Sequence, residues 1–260
     1  MATMRQPRRG NQGQTNNHML FRSANPALSS KTFQNLPQTS GKTMTVDGTV
    51  NRVGLSLGIL LFFGYLTFTL EITGLILVGF IGGLILALIT IFKKHLAPKT
   101  VPIYAALEGV ALGGISYIFN EQFEGIVLQA ISLTAGILFS LLLAYKTRLI
   151  KVTENFKLGI VAATGGIFVV YMISFVMSLF GGGLSIMSST NGSLFSIGFS
   201  LVVVVIASLN LVLDFDFIEN AVEAQAPKYM EWYAAFGLVV TLVWLYIEIL
   251  RLLAKLRDRR

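Results

Sequence analysis

The chain has no cysteine, which excludes disulfides, thiolate metal sites and a cysteine nucleophile. It is also poor in charge: Asp, Glu, Lys and Arg make up 13% of its 260 residues, against roughly 25% in a soluble domain. Histidine is limited to His18 and His95, both outside the apolar runs. There is no HExxH motif, no phosphate loop and no lysine in the middle of the last apolar run, so zinc hydrolysis, nucleotide chemistry and a retinal-type Schiff base have no residues to carry them. The reading is therefore not an enzyme, with no cofactor. A net charge of +7 raises the question of nucleic acid, but the bases sit at the ends of apolar runs and are not interleaved with aromatics on a polar face. Nucleic acid is not an expected partner.

What is present is apolar residue, 54% of the chain. So much cannot be hidden inside a soluble fold of this size, whose surface needs polar cover. The lipid bilayer is the expected solvent. A hydrocarbon core about 30 Å thick takes roughly 20 helical residues per crossing, and seven runs qualify, at 52–70, 73–92, 101–119, 126–145, 158–180, 194–214 and 232–253. The fold class is an all-α integral membrane protein, a bundle of seven transmembrane helices over residues 51–256 with a short basic end at 257–260. Residues 1–50 include "RQPRRGNQGQTNNH", rich in Gln, Asn, Gly and Arg without an apolar period, and read as a flexible basic tail. No apolar stretch follows the first bases, so the tail does not read as a signal peptide.

Lys and Arg mark the cytoplasmic side of short loops. The tail carries six of them, which places the N-terminus in the cytoplasm. Lys93, Lys94 and Lys99 in one loop, and Lys146, Arg148, Lys151 and Lys157 in another, fall on the same side. The opposite loops carry Glu71, Glu121 and Glu124 and no base. The seventh run breaks the alternation, because Arg251, Lys255, Arg257, Arg259 and Arg260 follow it. Either it crosses fully and the earlier spans overrule its basic end, or it re-enters and returns the C-terminus to the cytoplasm. Full crossing is favoured, since 22 apolar residues suffice to span. The Gly-rich "FGGGLS" before the sixth run reads as a flexible outer loop.

Against this background the acids stand out. "LDFDFIENAVE" places Asp214, Asp216, Glu219 and Glu223 at the end of the sixth run, after thirteen residues from Leu201 to Leu213 without an ionisable group. Carboxylates at a helix end emerging into water are ordinary, but Asp214 lies nearest the apolar run, and the helix dipole opposes an anion at the C-terminal end. Asp214 is expected to be a proton-sensitive element, with Asp216 to Glu223 forming an acidic vestibule that gathers cations. Two other acids lie within spans. Glu108, among Gly109, Ala111, Gly113 and Gly114, belongs to a slim helix able to pack closely, so it is expected to point into the bundle. Glu248 precedes Arg251 by three residues and is expected to pair with it. About 24 Å of helix rise from Trp232 keeps Glu248 far from Asp214 in a full crossing.

Seven spans, Asp214 to Ile218 as "D-x-x-x-I" at the end of the sixth, and "LYIEILRLL" closing the seventh together resemble the Bax inhibitor 1 like family. "LNLVLDFDFIE", "PKYMEWYAAFGL" and "APKTVPIYAALEGVALGGIS" are most similar to a bacterial branch, over roughly residues 50–256. The resemblance implies a bundle with the seventh helix near its centre, a bacterial inner-membrane location and a pH-sensitive leak of cations, with Ca2+ as the transported ion. In that picture an Asp on the sixth helix and an Asp on the seventh share a proton and latch the pore, since neighbouring carboxylates repel when both are ionised. Asp214 matches the first. The second position is Thr241, and Glu248 falls two turns beyond it, so the dyad is incomplete; Asp216 or Glu108 could supply the missing carboxylate. The resemblance also leaves open a non-conducting regulator that binds other membrane proteins, such as a membrane-anchored protease, with the tail as docking arm.

Overall fold

The structure is a computed structural model and describes residues 41–259. The tail expected at residues 1–50 lies largely outside the described residues. The described part contains seven long helices: α1 (Val46–Thr69), α2 (Ile76–Phe92), α3 (Ala97–Gln122), α4 (Ile126–Lys146), α5 (Glu154–Leu179), α6 (Leu194–Glu223) and α7 (Met230–Asp258). All seven are long and apolar enough to cross a membrane. Local chemistry starts several of them. The side chains of Thr45, Thr153 and Ser193 cap α1, α5 and α6 by accepting the amides of Gly48, Phe156 and Ser196, which meets one orphan donor at each N-terminus. Gly125, at φ 76°, turns the chain into α4 in a conformation that a Cβ disfavours.

Burial ranks the helices. Within the apolar span, 67% of α7 is buried, against 50% of α3 and of α6 and 11–17% of α1, α2, α4 and α5. The seventh helix is thus the axis of the bundle, in contact with α1, α3, α4 and α6. The outer helices turn large apolar side chains outward, among them Leu77, Phe92, Phe139 and Phe175. An aqueous protein would not tolerate so continuous an apolar exterior, whereas a bilayer solvates it.

Small residues set the closeness of α1, α2 and α3. A Cβ added to Gly109 would lie 2.4 Å from the carbonyl oxygen of Leu60, and one added to Gly113 would lie 2.3 Å from that of Gly64. Backbones at that distance gain packing in lipid, where no hydrophobic force drives helices together.

The ends of the bundle are fixed by contacts between helix termini. We call the end where α1 and α7 begin the near end. There, Met44 donates its amide to the Ala226 carbonyl at 2.7 Å and Thr45 donates to Glu231, tying the segment before α1 to the α6–α7 loop. At the far end, Lys255 reaches the Ile186 carbonyl, and Arg257 reaches the Glu124 carbonyl and the Gln129 side chain. An unbroken α7 therefore runs the full height of the bundle and does not turn back.

Candidate functional site

The sixth span was expected to end at Asp214. In the structure α6 continues to Glu223, nine residues or about 13 Å further. Asp214 is consequently inside the helix and not at a mouth, and it is fully buried between Leu213 and Phe215. Thr241, also buried, uses its hydroxyl on its own helix, donating to the Gly237 carbonyl at 3.3 Å. Measured along their helices from the near end, Asp214 and Thr241 lie at about 14 and 17 Å, and Glu108 on α3 at about 17 Å. Three helices thus carry a carboxyl or hydroxyl at similar depths, in the near half of the bundle.

Glu108 does not join the centre of that layer. The Tyr104 hydroxyl donates to its Oε1 at 3.3 Å, and a Cβ on Gly83 would lie 3.1 Å from its Oε2. It occupies the α2–α3 interface, in the space left by a glycine. Tyr104 itself packs edge-on against Phe236 of α7, ring centroids 5.0 Å apart, so the carboxyl is linked to the axial helix through one aromatic ring.

Asp216 is part of an ion network. Its Oδ2 lies 2.9 Å from the Nζ of Lys157 on α5 and accepts from the Asn220 side chain, and Lys157 also approaches Glu154 at 3.4 Å. Glu219 accepts from the Tyr145 hydroxyl of α4. The acidic vestibule expected from Asp216 to Glu223 is therefore much reduced: two of its carboxylates are engaged by α4 and α5, and Glu223 is left exposed.

Glu248 is not brought near Asp214. About 27 Å up α7 from the near end, it holds Arg251 Nη1 at 2.9 and 3.1 Å and accepts from the Tyr171 hydroxyl of α5 at 2.5 Å. The Arg251 guanidinium also lies 5.7 Å from the Tyr171 ring centroid. The pair is thus stapled to α5 by both a hydrogen bond and a cation–π contact.

Three charged residues carry more structure than their sequence positions suggested. Lys157, counted among loop bases, is buried against Asp216. Lys255, counted in a basic end, is 0% exposed and donates to the Ile186 carbonyl at 2.6 Å, the Ser200 hydroxyl at 2.8 Å and the Ser196 carbonyl at 3.4 Å. Glu231 is buried under Lys228, whose Nζ is at 2.6 Å, and accepts from both the amide and hydroxyl of Thr45. A signal for Lys255 existed: Glu248, Arg251 and Lys255 fall at i, i+3 and i+7, one stripe of a helix.

The order of these features along the chain is matched by one family. The chain matches the Bax inhibitor 1 like family over residues 25–258. It belongs to that family. No curated protein and no solved structure was found to match it. Among the described residues there is no group of three or more His, Asp or Glu side chains that could hold a metal ion.

Proposed function

We propose that this Bax inhibitor 1 like protein is a cation leak, with Ca2+ as its ion, whose conduction responds to protons through Asp214. The observation that carries the reading is the burial of Asp214: a carboxyl group fully buried on α6, about 14 Å inside the near end of that helix. Intramembrane carboxylates are costly, and they concentrate on ion and proton pathways. The latch differs from a two-carboxylate arrangement, because Thr241 supplies only a hydroxyl at the matching level of α7. The nearest titratable groups by depth are Glu108 on α3 and Asp216 on α6, and Asp216 is already tied to Lys157. The proton response is accordingly assigned to Asp214.

The reading is tested by reconstituting the purified protein in liposomes and following calcium entry as pH is varied. Entry that depends on the protein and changes with pH supports it. Liposomes that pass no cation at any pH would sink it and favour a non-conducting regulator of other membrane proteins, in which case the basic tail becomes the first candidate for docking. No enzymatic activity is part of the proposal.

Orientation belongs to the same proposal: the near end, which carries the bases of the α2–α3 and α4–α5 loops, faces the cytoplasm of a bacterial cell. The basic far end of α7 is accommodated because Arg251, Lys255 and Arg257 are each held by protein acceptors. In this cysteine-free chain, Thr147→Cys should be labelled by an impermeant maleimide only from the cytoplasmic side. A cysteine appended after Arg260 should be labelled only from the other side. The reverse pattern overturns the orientation, and labelling of both from one side overturns the full crossing of α7.

A further inference from the structure

A cavity of about 590 Å³ runs from the depth of the polar layer toward the far end of the bundle, with walls from α1, α3, α4 and α7, and is not lined by Asp214, Glu108 or Thr241. Its back wall is α7, through Leu242, Val243 and Tyr246, which are only 6%, 8% and 9% exposed. Its front edges are α1 and α4, which pack on α3 and α7 but do not form a packed pair with each other. The rim residues Leu61, Tyr65 and Leu128 are 54%, 70% and 71% exposed, so the cavity opens sideways between two membrane-spanning helices, toward lipid.

The chemistry of the walls selects an apolar occupant. The few polar groups on the walls are satisfied within the protein: Ser116 Oγ and Tyr246 OH bond each other at 2.6 Å, Thr134 donates to the Ala130 carbonyl at 2.8 Å, and Asn120 Oδ1 accepts the Gly125 amide at 3.0 Å. None of these bonds requires a ligand, and a polar guest would exchange water for hydrocarbon without return. The shape selects a chain. The lining on α4 runs from Gly125 to Leu138 and that on α1 from Leu57 to Phe68, or about 16–20 Å along each helix. One leaflet contributes about 15 Å of hydrocarbon. Tyr65 and Asn120 stand at the far mouth, the level where amphipathic side chains meet lipid ester groups.

We propose that the groove between α1 and α4 is a binding site for one acyl chain of a phospholipid drawn from the leaflet at the far end. The chain lies against Leu242 and Val243 of the axial helix, and the glycerol and head group remain at the mouth. The site makes the contact between α1 and α4 depend on lipid, because the guest fills the space that side chains leave open.

The test uses the full-length protein in liposomes containing a phospholipid with a diazirine near the middle of one acyl chain. After photolysis, peptide mapping should find adducts on Leu242, Val243 and Tyr246 of α7, which are buried from the outer surface. Adducts confined to the outward faces of α2, α4 and α5 would overturn the proposal. Native mass spectrometry from mild detergent provides a second reading: the wild type should retain one phospholipid. Ala135→Trp, which fills the groove from α4, should reduce retention about tenfold, whereas Leu84→Trp on the outer face of α2 should not. No phospholipid on the wild type, a retained free fatty acid, or a lipid-free dimer would each overturn the assignment, as would equal retention in Ala135→Trp.

Discussion

Two buried carboxylates in this bundle differ in the charge carried by their own helices. Glu248 is matched by an arginine one turn along its own helix and by a tyrosine from α5. Asp214 is buried on α6, a helix of 30 residues without a lysine or arginine, and its neighbours along the chain, Leu213 and Phe215, are apolar. Burial alone therefore does not identify a functional acid. A carboxylate with a dedicated guanidinium is a fastener, while one buried on a helix that carries no cation is the better candidate for a group that changes state.

The sharpest way to break that contrast is to remove the partner of the fastener. Arg251→Ala leaves Glu248 buried with only Tyr171, and loss of one member of a buried ion pair costs on the order of 3 kcal/mol. A thermal unfolding experiment in detergent should show a large drop in Tm for Arg251→Ala and a much smaller one for Asp214→Asn. Similar drops would make Asp214 structural too.

Next in size is Lys255→Met, which removes charge-assisted bonds joining the far end of α7 to residues 186, 196 and 200. A hydrogen bond to a charged group is worth about 1.5–3 kcal/mol, and relief of the desolvation cost of the buried ammonium offsets part of the loss. Hydrogen exchange should rise at 184–196 and stay unchanged at the near end. Uniform exchange across the bundle would argue against a local clasp.

A third variant tests the packing of α3. Gly113→Val places a methyl-bearing carbon against the Gly64 carbonyl and should destabilise by about 1–3 kcal/mol. Gly166→Val on α5, where nothing lies within 4 Å of an added Cβ, should be almost silent. The smallest effect is expected for Asp216→Asn. Lys157 is buried, but it keeps Glu154 as a counter-ion, and an asparagine at 216 can still accept its hydrogen bond.

The seven helices were legible in the hydropathy because lipid imposes a length and an apolar composition on every crossing. Their ends were not. The apolar run of the sixth span stops at Leu213, yet α6 goes on to Glu223, since Asp216 and Glu219 find Lys157 and Tyr145 on neighbouring helices. The seventh continues to Asp258 for the same reason, with Lys255 taken up by the Ile186 carbonyl of the α5–α6 loop and by Ser196 and Ser200 of α6. That loop, read as flexible from its glycines, is fastened at Ile186. The Glu248–Arg251 pair was visible because its partners are three residues apart on one helix, whereas Asp216–Lys157 and Glu248–Tyr171 join residues 59 and 77 positions apart. No local pattern encodes such pairs. For the same reason the sequence placed Asp214 at a mouth, and only the packing of α6 puts it inside.

Calcium entry into liposomes, measured across a pH series for the wild type, Asp214→Asn and Glu248→Gln, tests the central claim most directly. The account predicts that Asp214→Asn retains a flux that no longer varies with pH, while Glu248→Gln loses stability but keeps the pH dependence in whatever fraction folds. A pH response that survives Asp214→Asn and disappears in Glu248→Gln would contradict it, and would move the proton-responsive element to the seventh helix.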